Sequence, residues 1–171
     1  MCPQWGPLPI DEWHNMINDS TLEALRTAPL SHFLTYKMAR VQAKLNAQTS
    51  RILRENVGIT LTQWRLIALI GSAERTTAAH LSRLAAMDKG LISRNVKTLV
   101  GARLVASHRD TDDSRAHHLR LTAQGREVYD RMMPRMSTRQ EKLRDRLTAE
   151  ELEVFLAALD KLEAAADDPT I

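Results

Sequence analysis

The sequence predicts a mainly α-helical fold of the α+β class, and three features of the chain lead to this prediction. Apolar residues recur at three- and four-residue steps through most of the chain, as in helices that bury one face. Two short helical stretches meet at a tight corner near residue 88, and two strand-like runs separated by a charged turn follow them. Two short helices followed by such a ribbon form a winged helix-turn-helix with a two-stranded β wing, placed here between long terminal helices.

A long helix is predicted from about Ser31 to Glu55, because apolar residues recur there at helical spacing with arginine and lysine between them. Gly58 follows the last apolar position and is expected to end the helix. The next helix covers Leu61 to Ser72, and either Thr60 or Thr62 can cap it.

The first of the two short helices follows Thr76 and Thr77, either of which can accept a hydrogen bond from a first-turn N–H. Asp88 is a good N-cap for the second, in which Ile92, Val96 and Leu99 share the buried face. Small, polar and basic side chains on the remaining surface would let a duplex come close and would supply donors to bases and phosphates. These candidate DNA-contacting residues are Lys89, Gly90, Ser93, Arg94, Asn95, Lys97 and Thr98. An ordinary amphipathic helix with a solvated basic face is the alternative.

The ribbon consists of strand-like runs at residues 104–108 and 117–121, joined by a polar turn with an arginine at each shoulder. Arginine at a hairpin tip can enter the narrow minor groove, whose negative potential attracts guanidinium groups. Arg109 and Arg115 are therefore candidate DNA contacts, and Asp113 is expected to hold the turn rigid by pairing with a neighbouring arginine. A solvent-exposed charged hairpin is the alternative.

Residues 87–125, MDKGLISRNVKTLVGARLVASHRDTDDSRAHHLRLTAQG, resemble the core of MarR-type winged helix-turn-helix transcription regulators. The resemblance is carried by Asp88-Lys89, Ile92-Ser93-Arg94, Asp113-Ser114-Arg115 and the run from Leu121 to Gly125. It implies major-groove contacts from Ser93 and Arg94, a minor-groove contact from Arg115, and a clamp between Asp113 and Arg115. The family usually has a second arginine where this chain has Ser114, which weakens one expected wing contact.

After Gly125 a helix is expected to run to about Leu147, and Thr148 with Glu151 forms a capping box for a last helix. The apolar stripes of the terminal helices need burial, and pairing with a second copy of the chain provides it. The resemblance also implies dimerisation through these helices, so we expect a homodimer. The predicted organisation is an N-terminal extension (1–29), a helical dimerisation region (30–56 and 123–168) and a winged helix-turn-helix DNA-binding domain (57–122).

Charge is distributed unevenly along the 171 residues, although the net charge is only +3. Residues 75–126 hold ten Lys or Arg against four Asp or Glu, whereas residues 127–171 hold seven against eleven. A basic block beside an acidic one indicates a local site for a polyanion such as double-stranded DNA. The single cysteine, Cys2, fits a reducing cytoplasm, and no run of apolar residues is long enough to span a membrane.

Enzymatic motifs are missing from the sequence: it has no Gly-rich phosphate loop, no H-E-x-x-H and no G-x-S-x-G. We therefore expect no enzyme and no cofactor. His117 and His118 are adjacent strand residues that point to opposite faces, which argues against a shared metal ion. No metal site is predicted.

A small anionic effector is implied by the resemblance, because ligands in this family bind where three helices meet the winged helix-turn-helix. These are the first long helix, the helix that contains Trp64 and the long helix after the wing. In this chain the junction would be lined by His32, Phe33, Tyr36, Arg40, Trp64 and Arg65. Aromatic rings beside a cation suit an aromatic carboxylate. The alternative is that Phe33 and Trp64 belong to the core and that Arg40 pairs across a dimer.

The predicted function is a ligand-responsive, dimeric regulator, with repression as the expected effect, that binds a pseudo-palindromic operator. An aromatic acid or its thioester would release it from DNA. The alternative from a different class is a sequence-nonspecific architectural DNA-binding protein. A protein-interaction module that keeps the fold without binding DNA is a further alternative.

Overall fold

A computed structural model of the chain describes residues 29–73, 76–85, 87–109 and 117–170. The chain divides into two compact units, Met1–Ile52 and Leu53–Ile171. Most of the N-terminal extension and the wing residues Asp113 and Arg115 lie outside the described residues.

Helix α1 spans Leu34–Asn56 and follows a 3-10 turn at Leu30–His32. The predicted start at Ser31 is wrong, because Phe33 has an extended backbone that separates the turn from the helix. Gly58 ends α1 as predicted: its φ of 68° lies in the region that glycine tolerates, and its N–H donates to the Leu53 carbonyl over 3.0 Å.

Helix α2 spans Leu61–Ser72, and Thr60 is its N-cap. The Thr60 hydroxyl accepts from the Gln63 N–H over 3.2 Å, and the Gln63 side chain accepts from the Thr60 N–H over 2.8 Å. This reciprocal capping box satisfies two backbone donors at the start of the helix. Thr60, and not Thr62, therefore defines where α2 begins.

Two shorter helices follow, α3 at Ala78–Ala85 and α4 at Lys89–Gly101. Thr77 caps α3 by accepting from the His80 N–H over 3.2 Å. Asp88 caps α4 as predicted, accepting from the Leu91 N–H over 3.0 Å. The two caps place the corner between the helices where the sequence indicated it.

The sheet has three antiparallel strands in the order β1-β3-β2, with β1 at Thr76–Thr77, β2 at Val105–Arg109 and β3 at His117–Leu121. The predicted two-stranded wing corresponds to β2 and β3, in which Ser107 is opposite Leu119. Strand β1 was not predicted, since two residues are too few for a period-two pattern.

Helix α5 spans Ala123–Arg144 and includes Pro134, and helix α6 spans Ala149–Ala166. Thr122 caps α5, accepting from the Gly125 N–H. Thr148 and Glu151 form the predicted capping box at the start of α6. No described helix is long and apolar enough to cross a membrane.

The core of the Leu53–Ile171 unit lies among α2, α3, α4, the sheet and the first half of α5. Its buried apolar side chains are Leu53, Trp64, Leu66, Ile67, Ile70, Leu81, Ile92, Leu99, Leu104, Val105, Leu119 and Met132. Gly125 fits here because a Cβ on it would overlap the Leu104 carbonyl oxygen. This close approach fixes the start of α5 against the end of the α4–β2 connection.

Helices α1 and α6 each leave several apolar side chains uncovered. Helix α6 buries none of its described residues, and Phe155 is 51% exposed. On α1, Leu34 and Val41 are more than half exposed. These helices contrast with α4, which buries Ile92 and Leu99 within the chain.

Candidate nucleic-acid interface

The outer surface of α4 carries the basic and polar residues that the sequence predicted to face DNA. Lys89, Ser93, Arg94 and Lys97 are exposed, whereas Ile92 on the opposite face is fully buried. The helix is thus oriented by its apolar side, and its basic side is open to a partner.

Two of the predicted contact residues use their side-chain donors within the helix. The Asn95 amide donates to the Leu91 carbonyl over 2.9 Å, and the Thr98 hydroxyl donates to the Arg94 carbonyl over 3.0 Å. The Thr98 hydroxyl has a single hydrogen and must give up this bond before it can donate to a base, and the Asn95 amide, which keeps a second N–H, is turned toward its own helix. Ser93, Arg94 and Lys97 are therefore the stronger candidates.

Gly90 lies in the first turn of α4, where it has no side chain to fill the space beside Asp88 and Arg94. A Cβ at this position would lie 3.0 Å from Asp88 Oδ1 and 3.4 Å from Arg94 Nη1. The Arg94 guanidinium therefore lies back along the helix, beside the first turn. A side chain at residue 90 would crowd both the cap and this arginine.

The wing is described at its base but not at its tip. Arg109 is the last residue of β2 and is opposite His117. The predicted Asp113–Arg115 clamp and the minor-groove contacts fall on the tip and on the Arg109 side chain, outside the described atoms. These roles stay predictions.

Side-chain hydrogen bonds join the two strands of the wing. Arg120 donates from Nε to Nε2 of His108 over 3.0 Å, so this ring nitrogen acts as an acceptor. Ser107 Oγ and His117 Nδ1 are 3.3 Å apart. The strands are thus connected beyond their backbone ladder.

The base of the wing is tied to α5 by Thr122. Its hydroxyl donates to the Arg103 carbonyl over 2.6 Å and accepts from the Gly125 N–H over 3.0 Å. Arg103 itself adopts a positive φ of 58°, which is uncommon for a residue other than glycine. One threonine therefore caps α5 and fixes the backbone that leads into β2.

The predicted ligand residues in the first unit are His32, Phe33, Tyr36 and Arg40, and all four are exposed. The structure brings two of them together, with the Arg40 guanidinium carbon 5.9 Å from the centre of the Tyr36 ring. A groove beside them is lined by Lys37, Arg40, Val41 and Lys44. This surface combines cations with aromatic and aliphatic side chains.

The predicted ligand residues in the second unit are Trp64 and Arg65. Trp64 is buried and packs near Tyr129 of α5, with 6.4 Å between ring centres, while Arg65 is exposed. Arg126 lies over the Tyr129 ring, with its guanidinium carbon 5.0 Å from the ring centre. Sequence reasoning missed Arg126 and Tyr129. The one local signal was their spacing, since a cation and an aromatic residue three positions apart on a helix lie on the same face.

Metal-binding groups do not converge in the part of the chain that the structure describes. No cluster of three or more His, Cys, Asp or Glu side chains is arranged there to hold an ion. His108 is opposite His118 across the ribbon, but a single histidine pair with arginine beside it is not a metal-ligand set.

Comparison with known proteins agrees with this geometry. Residues 57–116, which contain α2, α3, α4 and β2, match the model of the MarR family. This segment of the chain is therefore similar to the MarR family. MarR proteins are transcription regulators and not enzymes. A search of curated proteins found no match to the sequence.

Solved structures share the fold over most of the chain. A MarR/EmrR family regulator from Acinetobacter sp. ADP1 has a TM-score of 0.75 at 24% identity, with 82% of this chain and 99% of that one covered. S. aureus MepR, solved with DNA, has a TM-score of 0.74 at 18% identity, covering 79% and 99%. Bordetella bronchiseptica BpsR, whose DNA binding is regulated by 6-hydroxynicotinic acid, has a TM-score of 0.71 at 17% identity, covering 80% and 96%.

Proposed function

We propose that this protein is a MarR-type, ligand-responsive repressor that binds a pseudo-palindromic operator as a homodimer. Helix α4 supports the proposal most directly, because Ile92 and Leu99 anchor it in the core while Ser93, Arg94 and Lys97 are exposed together. The shared fold with MepR, which has been solved on DNA, is consistent with this surface facing a duplex.

Within α4 we assign different roles to the exposed residues. Ser93 and Arg94 read base edges in the major groove, since arginine is well suited to pair with guanine there. Lys89 and Lys97 contact phosphates, and Gly90 lets the backbone approach the duplex. Thr98 can donate to DNA only after giving up its bond to the helix backbone, whereas Asn95 can use its second N–H.

For the wing we propose that Arg109 and Arg115 approach the minor groove and that Asp113 pairs with Arg115 to fix the tip. The hydrogen-bonded base, in which Arg120 donates to His108, supports a ribbon that keeps its shape. A rigid ribbon loses less conformational entropy when it binds.

The dimer that we propose is built from residues 30–56 and 123–168. Helix α1 carries five Lys or Arg and one carboxylate, whereas α6 carries five Asp or Glu and one lysine. Both helices expose apolar side chains, including Val41 on α1 and Phe155 on α6. Opposite charge beside apolar surface favours pairing α1 of one copy with α6 of the other.

Hydrogen bonds in the first turn of α6 stabilise the negative charge of Glu150. A backbone hydrogen bond, and then one from the Thr148 hydroxyl, lower the pKa of Glu150 below its ordinary value. The group is fully exposed, so the shift indicates local hydrogen bonding and not burial. The carboxylate therefore stays ionised to a lower pH than a free glutamate does.

The effector that we propose is an organic anion, such as an aromatic acid or its thioester. Tyr36 and Arg40 support an aromatic carboxylate through their ring and cation. His32, Phe33, Trp64 and Arg65 complete the proposed set, although Trp64 is buried and would need a change of packing to touch a ligand. The anion shifts the protein off DNA only if it binds the released conformation more tightly.

Competition between duplexes tests the proposed function. Wild-type protein is used to select a duplex from a random library, and its binding is then measured against unselected duplex over a range of salt concentrations. A regulator should prefer the selected duplex by at least about a thousandfold. Equal binding to both would support the architectural alternative, and a failure to bind either at low salt would contradict DNA binding altogether.

A further inference from the structure

Helices α2 and α5 approach each other closely at Gly71, in the last turn of α2. A Cβ on Gly71 would lie 2.5 Å from Cδ2 and 2.7 Å from Cε2 of Tyr129, and 2.9 Å from Cδ1 of Leu121. Glycine within a helix is less favourable than alanine by about 1 kcal/mol. Since Gly71 does not have a positive φ, the close approach of the Tyr129 ring is the reason that a side chain does not fit here.

Arg126 spans the same junction. Its Nη1 donates to the Gly71 carbonyl over 3.2 Å, and its guanidinium carbon lies 5.0 Å from the centre of the Tyr129 ring. Arg126 and Tyr129 are three residues apart on α5 and so share a face of that helix. Together they connect the beginning of α5 to the end of α2.

The position of Arg126 is unfavourable for its own helix. It is the fourth residue of α5, near the positive end of the helix dipole, where a cation is disfavoured. At Gly71 the guanidinium instead meets the carbonyl end of α2, where a cation is favourable. The residue therefore contributes to the α2–α5 junction more than to the stability of α5.

This junction lies between the two parts of the molecule that the proposed function requires. Helix α2 packs against α4, which we propose to read DNA, and α5 continues into the region that we propose to form the dimer. A change of angle between α2 and α5 would move α4 relative to the dimer partner. Two DNA-reading helices must match successive major grooves, about 34 Å apart, so that angle affects operator binding.

We infer that Arg126 is a positioning residue: through Gly71 and Tyr129 it fixes the direction in which α5 leaves the winged-helix domain, and with it the spacing of the two α4 helices. The inference rests on the proposed function. Arg126 itself does not need to touch DNA, because its partners are a backbone carbonyl and an aromatic ring.

The test compares Arg126→Gln with Arg131→Gln, which removes the same charge from an exposed arginine of the same helix. Binding is measured to the duplex selected by wild-type protein and to versions with one base pair inserted or removed between the half-sites. We expect Arg126→Gln to weaken binding to the selected duplex about tenfold, a typical size for conformational coupling. It should also lose most of the preference for the original spacing, and Arg126→Lys should recover part of both.

Arg131→Gln should keep the spacing preference and weaken all duplexes equally and slightly. Equal spacing preferences in the Arg126→Gln and Arg131→Gln proteins would overturn the positioning role. A wild-type protein that binds no duplex would instead contradict the proposed function itself. Because Arg126 is exposed, its variants should fold, and matching thermal midpoints by circular dichroism would verify this.

Gly71→Ala is an independent variant at the same junction. The added methyl group must displace the Tyr129 ring, so it should also relax the spacing preference. If the Gly71→Ala protein folds and keeps the wild-type preference, the inferred role of this junction is wrong.

Discussion

Helices α4 and α6 are both amphipathic, but only α4 buries the centre of its apolar face within one chain. Ile92 and Leu99 of α4 are at most 1% exposed, whereas Phe155 and Leu156 of α6 are each 51% exposed. An isolated α6 would leave its apolar side in water, which disfavours the folded state. The difference indicates that α4 needs no further burial and presents its polar face to solvent, while α6 has an apolar surface that requires a partner.

The largest effect is expected when the internal anchor of α4 is removed. Leu99→Ala deletes a buried side chain and leaves a cavity, so it should lower the free energy of unfolding by about 2–5 kcal/mol. Denaturant titrations at two protein concentrations measure this, and the loss should be the same at both. A loss that appeared only at the higher concentration would place Leu99 in an interface instead.

A smaller but still large effect is expected on the open side of α6. Phe155→Asp places a charge in the proposed interface and should raise the dimer dissociation constant by roughly 30-fold or more, equivalent to about 2 kcal/mol. Ala157→Asp adds the same charge on the opposite face of α6 and serves as the control. Sedimentation equilibrium measures both; equal dissociation constants for the two variants would contradict burial of Phe155.

The basic face of α4 is expected to determine which sequence is bound. Arg94→Ala should weaken binding to the selected duplex by about 1–3 kcal/mol and relax the preference at the bases that it contacts. The measurement is a repeat of the selection and titration with the variant. Unchanged discrimination between duplexes would remove Arg94 from the base-reading role.

The smallest effect is expected at Lys97, on the same face. Lys97→Gln should weaken all duplexes to a similar extent, since phosphate contacts carry no sequence information. A dimer has two such residues, so the slope of log affinity against log salt should become less steep by about 2. A change confined to the selected sequence would contradict a phosphate role.

The elements predicted well from sequence are those set by neighbouring residues. Asp88 and Thr148 cap their helices as expected, because a cap depends on a side chain and a backbone donor three residues away. Gly58 ends α1 for a similarly local reason. Local sequence therefore predicts where α1 ends and where α4 and α6 begin.

The features that sequence reasoning missed depend on contacts between distant residues. Strand β1 exists because Thr76 meets Leu119, 43 positions later in the chain. The Arg126 bond to the Gly71 carbonyl joins residues 55 positions apart, and neither an arginine nor a glycine predicts this contact from its own neighbours in sequence. The start of α1 was misplaced because a 3-10 turn at Leu30–His32 has nearly the same local pattern as a helix.

In the candidate site, too, some features could be predicted from local sequence and others could not. Arg94 and Lys97 were placed on the exposed face by the spacing of Ile92 and Leu99 alone. The side-chain bonds of Asn95 and Thr98 to their own helix were not predicted. An exposed Asn or Thr can bond either to the backbone of its own helix or to a partner, and the spacing of apolar residues does not distinguish the two. Trp64 is buried, which agrees with the alternative that it belongs to the core, and its role in ligand binding stays a prediction.

Sedimentation velocity of wild-type protein, alone and with the selected duplex, tests the central claim most directly. The account predicts a dimer at micromolar concentration and one dimer bound to each duplex, because the two copies of α4 are held together by terminal helices. A protein that stays monomeric at that concentration, or that binds one chain to each duplex, would contradict it.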